Sequence, residues 1–144
     1  MALAVGTDAP AFTTKDTNGN TVSLSDFAGK TVVLYFYPKD DTPGCTKQAC
    51  SFRDAQSEYT SKGIVVLGVS ADDEAGHQAF TNKYNLNFPL LADTNKSIIT
   101  AYDVDGGGYA KRVTYIIDGS GKIIDVDASV NTSTHASDVL AKLG

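Results

Sequence analysis

The chain is poor in the residues that several common functions are built from. Its 144 residues include two cysteines, Cys45 and Cys50, and two histidines, His77 and His135. Two cysteines are too few for a secreted disulfide scaffold, so a reducing compartment is expected. Zinc wants about four ligands, and two cysteines with two scattered histidines supply no spacing for it, so no metal or cofactor is implied. Positive charge is also short: 12 Lys and Arg face 17 Asp and Glu, for a net charge of −5. A nucleic-acid partner would want a basic face, and none is in prospect. No apolar run approaches the length of a membrane span, and the opening Met1 to Pro10 lacks the basic start and long apolar core of a signal peptide. The expectation is a cytoplasmic protein, unless a targeting segment has already been trimmed away.

What is present suits an ordinary globular protein. Hydrophobic residues make up 42% and charged residues 20%, a globular balance with enough apolar surface for a core. No repeat, low-complexity tract or linker interrupts the chain, so residues 1–144 are read as a single domain. The organising stretch is Thr31 to Cys50. Thr31 to Tyr37 is apolar on both faces of a strand and reads as a buried central one. Pro38 ends its ladder, because proline cannot donate a hydrogen bond. Asp41, Thr42, Pro43 and Gly44 are turn and cap formers, so a helix is expected over Cys45 to Ser61, stopped by Gly63. A thiol at that helix start feels the positive end of the peptide dipoles, which favours a thiolate.

The remaining pattern is strand, helix and hairpin in alternation. Phe12 to Asp16 and Thr21 to Leu24 flank an Asn-Gly turn and read as an N-terminal hairpin, followed by a short turn capped by Ser25. Ile64 to Ser70 is a second buried strand, completing a βαβ unit. A helix follows from about Asp73 to Tyr84, with Ala75, Ala79 and Phe80 as its apolar residues. Phe88 to Ala92 contains Pro89 and reads as an edge-like or irregular segment. Lys96 to Tyr102 reads as a short helix, and Val113 to Asp118 with Lys122 to Ala128 as an antiparallel hairpin. Ser133 or Thr134 caps a last helix whose apolar stripe is Ala136, Val139, Leu140 and Leu143. The order predicts an α/β domain of three layers around a mixed sheet, with an extra N-terminal β-hairpin. In thioredoxin-like folds that arrangement puts the end of the first long strand, and the helix after it, at the site.

Helical spacing separates the two cysteines. At roughly 100° per residue, Cys45 shares a face with Ala49, Phe52, Gln56 and Tyr59, while Cys50 falls opposite with Asp54, Ser57 and Ser61. A cysteine is commonly a small buried hydrophobe, which suits Cys45 but not Cys50. On residue types alone, a redox or nucleophilic role and a pair of inert thiols both stand. Two other signals carry little. Gly29-Lys30-Thr31 lacks the first glycine and the following helix of a phosphate loop, and Gly106-Gly107-Gly108 lacks the spacing of a dinucleotide fingerprint and reads as a flexible turn. His77 lies away from its helix's apolar residues and His135 opens the last helix, so both are placed at the surface. Asp40 and Asp41, which would disfavour a thiolate nearby, are expected to point to solvent or to be offset by Lys39.

The segment Pro38-x-x-x-Thr42-x-x-Cys45 resembles the active-site signature of the peroxiredoxins. The longer string YFYPKDDTPGCTKQACSFRD is similar to the bacterioferritin-comigratory, or Q-type, subfamily, in which a second cysteine commonly follows five residues on, as Cys50 does. The likeness extends through Ala9 to Phe12, Gly68 to Ser70, Phe88 to Asp93, and Arg112 with the strand after it. It implies a thiol-dependent peroxidase on a thioredoxin-like fold, with Cys45 as nucleophile and Cys50 as resolving thiol. Arg112 would stabilise the charge, Thr42 would bond to peroxide or thiolate, and Pro38 would shield the site. The implied partners are hydrogen peroxide or alkyl hydroperoxides and a thioredoxin or glutaredoxin-like reductant, with the protein a monomer. Many relatives carry a longer segment where Asp103 to Lys111 here is short and glycine-rich. A thioredoxin-like oxidoreductase and a non-catalytic redox sensor are the alternatives, the first weakened by the absence of C-x-x-C.

Overall fold

A computed structural model describes residues 3–143. The element order is β1 (Thr13–Asp16), β2 (Thr21–Ser23), a 3-10 turn (Leu24–Phe27), β3 (Thr31–Phe36), α1 (Pro43–Asp54), α2 (Gln56–Ser61), β4 (Ile64–Ser70), α3 (Glu74–Tyr84), β5 (Leu90–Ala92), α4 (Ser97–Ala101), β6 (Val113–Ile117), β7 (Ile123–Asp127) and α5 (His135–Leu143). The strands form one seven-stranded sheet in the order β2-β1-β5-β4-β3-β6-β7. β3 runs parallel to β4, and β4 to β5, while the hairpins on either side pair antiparallel. The sheet is mixed, as the pattern of elements predicts.

Alternation along β3 divides the core. Val32, Leu34 and Phe36 join Leu67, Val69, Tyr102 and Tyr115 on one face, covered by α4, the 3-10 turn and the N-terminal segment. Val33, Tyr35 and Tyr37 face Phe52, Tyr59, Phe80 and Val139, drawn from α1, α2, α3 and α5. Strand residues buried on both faces are what a fully apolar run provides.

Three expectations need correcting. β5 is not an edge strand, since β1 pairs with it on one side and β4 on the other. Pro89 is tolerated because it precedes the ladder and contributes only its carbonyl, which accepts from the Gly68 N–H at 3.2 Å. The expected helix of residues 45–61 begins at Pro43 and divides at Ala55, where φ −99° and ψ 2° leave the helical range. Phe52's carbonyl there takes the Ala55 N–H at 3.2 Å and the Gln56 side-chain amide at 3.3 Å, replacing the regular ladder. The early turn is capped by Ser23 rather than Ser25, with the Asp26 carboxylate accepting the Ser23 N–H at 2.9 Å.

Candidate active site

The parallel pairing of β3 with β4 and the antiparallel pairing with β6 end together, with Phe36 opposite Val69 and Val113. Tyr37 continues the contact by donating to the Val69 carbonyl at 3.1 Å, and Pro38, half-buried, bends the chain away. The loop turns at Asp41, whose φ of +58° lies in the left-handed region that Asp tolerates better than most residues. Thr42 is the extended N-cap residue of α1, and Pro43 opens the helix, where its missing N–H is not needed. The Thr42 hydroxyl donates to the Lys39 carbonyl at 2.8 Å, so its one proton is committed to the loop, and its oxygen accepts no amide N–H of the helix.

Cys45 follows in the first turn and is 1% exposed. Arg112 immediately precedes β6, and the β3–β6 register carries it to the same end of the sheet. Its Nη2 donates to Cys45 Sγ at 3.3 Å and its Nη1 to Gln48 Oε1 at 2.6 Å. A Cβ on Gly44 would lie 3.0 Å from Arg112 Nη2, so glycine leaves the guanidinium its place. The glycine-rich segment before Arg112 is closed into a turn: Gly106 donates to the Tyr109 carbonyl at 2.7 Å, and Lys111 to that of Val104 at 2.7 Å. Cys50 is half-buried on the same helix, and both thiols are free. The structure therefore brings Cys45 and Arg112 into contact, with Thr42 at the head of their helix and Pro38 at the loop's start, and holds Cys50 within α1.

Residue types alone missed the polar network behind the loop. His77 is buried at 0% exposure, its Nδ1 2.7 Å from Asp40 Oδ2 and its Nε2 2.9 Å from the Leu91 carbonyl. Asp40 also accepts from the Tyr37 hydroxyl at 2.6 Å, and its own N–H donates to Asp72 at 2.9 Å. Asp40 thus turns inward and is balanced by His77 rather than by solvent or Lys39. Burial opposes a charge on His77, but the Asp40 carboxylate, the Leu91 carbonyl and the Asp72 charge outweigh it and raise its pKa. Asp41 takes Lys83 and Tyr84 at 2.8 and 2.9 Å. His135, also expected at the surface, is 0% exposed beneath the site. Its Nε2 meets Thr114 Oγ1 at 2.8 Å and its ring stands edge-on to Phe52, 5.3 Å away. Burial pushes its pKa down to about 4.

The helical period in α3 was legible but its phase was not. Ala75 and Ala79 are exposed, and the buried positions are His77 and Phe80. The spacing from His77 through Phe80 to Tyr84 is the signal that would have found the face, and a small alanine carries little weight against it.

A model of the AhpC/TSA family matches residues 5–126. This chain belongs to the AhpC/TSA family. It is 44% identical to the putative peroxiredoxin bcp of Coxiella burnetii, over 99% of this chain and the whole of that protein. It is 50% identical to the chloroplastic peroxiredoxin Q of Triticum aestivum over 84% of its length, and spans 57% of that longer plant protein. Among solved structures, a cysteine mutant of PrxQ from Xylella fastidiosa superposes with a TM-score of 0.92 at 28% identity, covering 99% of this chain and 96% of the other. Peroxidoxin BcpB from Mycobacterium tuberculosis gives 0.90 at 32%, covering 98% and 96%. The chain is thus a peroxiredoxin of the Q or bacterioferritin-comigratory kind, with a thioredoxin-like fold, and so a thiol-dependent peroxidase. Among the described residues of this peroxiredoxin, no helix is long and apolar enough to cross a membrane.

Proposed function

We propose that this peroxiredoxin reduces hydrogen peroxide and alkyl hydroperoxides at Cys45, and that Cys50 resolves the oxidised product. The observation that carries the assignment is the Arg112 guanidinium 3.3 Å from a buried sulfur in the first turn of a helix. The guanidinium and the positive end of the helix dipoles both turn toward that sulfur. The thiolate attacks one peroxide oxygen and the O–O bond breaks. The departing hydroxide or alkoxide takes a proton and leaves as water or alcohol, and Cys45 remains as a sulfenic acid. Arg112 is placed to stabilise the charge that develops between the oxygens. Because the Thr42 proton is held by Lys39, Thr42 offers its lone pairs to the O–H of a bound hydroperoxide. Pro38 closes the approach beside them.

The Cys50 thiol then attacks the Cys45 sulfur. An S–S bond forms, and the sulfenic oxygen leaves as water. In an intact helix, residues five apart have Cα atoms roughly 8.5 Å apart and side chains about 140° apart. A disulfide needs about 7 Å or less with converging Cβ vectors, so α1 must open locally. A thioredoxin or glutaredoxin-like dithiol returns two electrons and two protons. The bacterioferritin comigratory protein of Xanthomonas campestris, which has alkyl peroxide reduction activity, shares this fold at 31% identity and a TM-score of 0.86, which supports the organic substrates. The same reading takes residues 1–144 as one monomeric domain acting in the cytoplasm.

The test is peroxide turnover coupled to thioredoxin, its reductase and NADPH. Cys45→Ser should abolish consumption, and Cys50→Ser should allow a single oxidation per chain but little turnover with thioredoxin. Steady turnover by Cys45→Ser would move the chemistry elsewhere. Insulin-disulfide reduction without peroxide turnover would favour the oxidoreductase reading.

A further inference from the structure

The opening of α1 required by the two-cysteine reading has two ends, and both are fastened to α3. Upstream, His77 holds Asp40 through a contact of 2.7 Å in which the His side chain is 0% and the Asp side chain 7% exposed. Near the C-terminus of α3, Lys83 Nζ and Tyr84 Oη bond the two oxygens of Asp41 at 2.8 and 2.9 Å. These contacts hold the residue whose backbone is left-handed at φ +58°. A strained turn persists when its surroundings over-determine it. Downstream, Arg53 Nη1 donates to the backbone carbonyl of the same Tyr84 at 2.7 Å. That carbonyl lies in the last turn of α3, where the helix dipole favours a cation. Asn87, just beyond α3, donates back to the Arg53 carbonyl at 3.2 Å. Ser51 adds a tie to α5 by accepting the Ala136 N–H at 3.0 Å.

Between the fastenings lie Thr42 to Cys50, and both cysteines are among them. That interval holds a weakness of its own. Gln48 is 0% exposed, and while its Oε1 takes Arg112, its Nε2 has no partner. A buried unpaired donor costs free energy that opening the helix would return, since water can then bond it.

We propose that α3 acts as a splint, with Lys83 and Tyr84 positioning the upstream end and Arg53 the downstream end, so that oxidation unwinds residues 42–50 and stops at Ser51. Confinement keeps the Cys50 thiol near Cys45 and lets the helix rewind from a fixed base once the disulfide is reduced. It also holds the disulfide form under constraint, which makes it easier to reduce.

The inference rests on the proposed roles of Cys45 and Cys50, and the experiment separates the two. Hydrogen exchange is followed by mass spectrometry on reduced and peroxide-oxidised protein, for the wild type, Arg53→Met, Arg53→Lys and Lys83→Met. In the oxidised wild type, protection should be lost at the amides of residues 46–54, whose helical acceptors are the carbonyls of residues 42–50, and kept at Ala55, which donates to the Phe52 carbonyl at 3.2 Å. Arg53→Met should extend the loss to Ala55, and Arg53→Lys, which keeps a donor for Tyr84, should restore the boundary. Lys83→Met should extend the loss upstream past Asp41. Releasing either clamp should shift the dithiol–disulfide equilibrium toward the disulfide by about threefold, a potential lower by about 15 mV. The first oxidation of Cys45 should keep its wild-type rate in Arg53→Met, whereas general misfolding would slow it. A wild-type disulfide accompanied by loss of protection at Ala55, or a boundary that Arg53→Met leaves unchanged, overturns the splint alone. Failure of the wild type to form a Cys45–Cys50 disulfide overturns both the splint and the two-cysteine reading.

Discussion

Mild acid should weaken this protein through one residue that touches no substrate. His135 sits at the start of α5 with its ring against Phe52, its Nε2 on Thr114, and its Nδ1 buried without a partner. A neutral ring is content with that arrangement, but a protonated one would bring a second N–H into an apolar pocket with nothing to accept it. Burial is the main cause of its low pKa of about 4; Lys142 and Arg112 press the same way, and Asp127 and Asp138 press against them. In the unfolded chain a histidine titrates near about 6.5, so as pH falls the unfolded state takes up the proton first. Between pH 7 and pH 5 the loss from His135 alone comes to about 2 kcal/mol.

Other groups behave differently in this window. His77, facing Asp40, Asp72 and the Leu91 carbonyl, has a raised pKa. Its contribution is fully present below about 6.5 and is lost as pH rises through the raised value. Asp41, Asp105 and Asp118 are held below 3.8 by their hydrogen bonds, so their stabilisation survives until stronger acid. His135→Gln keeps a group that can bond Thr114 but cannot titrate. Urea unfolding of the reduced protein, followed by far-UV circular dichroism at pH 7 and pH 5, should show the wild type losing about 2 kcal/mol more than the variant over that interval. Parallel pH dependences for the two proteins would show that His135 does not carry the proton uptake.

Arg112→Met should slow oxidation of Cys45 by about 10²-fold, since it removes the donor aimed at the developing charge. Arg112→Lys should recover only part, because an ammonium cannot reproduce the fork that spans Cys45 and Gln48. Stopped-flow peroxide reduction reads both, and a wild-type rate in Arg112→Met would remove Arg112 from the site. Gly68→Ala should destabilise the protein by about 1–3 kcal/mol, the usual range for an overpacked core. The new Cβ would stand 2.8 Å from Leu90 Cδ2 and 2.9 Å from the Tyr35 ring, which is stacked on Phe52 and cannot retreat. An unchanged urea midpoint for that variant would contradict the packing described.

The parts of the fold that were legible are those whose causes lie close together in the chain. The run Thr31 to Tyr37 is apolar at every position, and Pro43 and Gly44 mark a helix start whatever surrounds them. Cys45 and its loop were read from such a local string. Arg112 came from resemblance, since an isolated arginine before a strand has no local signature. Where the causes are distant, local reading failed. Asp40 and His77 are 37 residues apart, so nothing beside either one announces a buried pair. β5 looked peripheral because Pro89 is a poor strand residue and the hairpin that covers it comes from the other end of the unit. His135 was misplaced for a related reason: a polar residue at a helix start is normally wet, and here Thr114 and Phe52 arrive from two other elements to cover it.

The near-complete burial of Cys45 also sorts the molecules that can approach it. A cysteine that is 1% exposed admits hydrogen peroxide, hardly larger than water, far more readily than the disulfide of another protein. While α1 is wound, Cys45 is thus insulated from exchange with the thiols and disulfides of other proteins. Cys50, half-buried on the same helix, is the sulfur that foreign thiols and alkylating reagents meet first. The helix acts as a sieve as well as a support, and a bulky thiol probe should label Cys50 before Cys45.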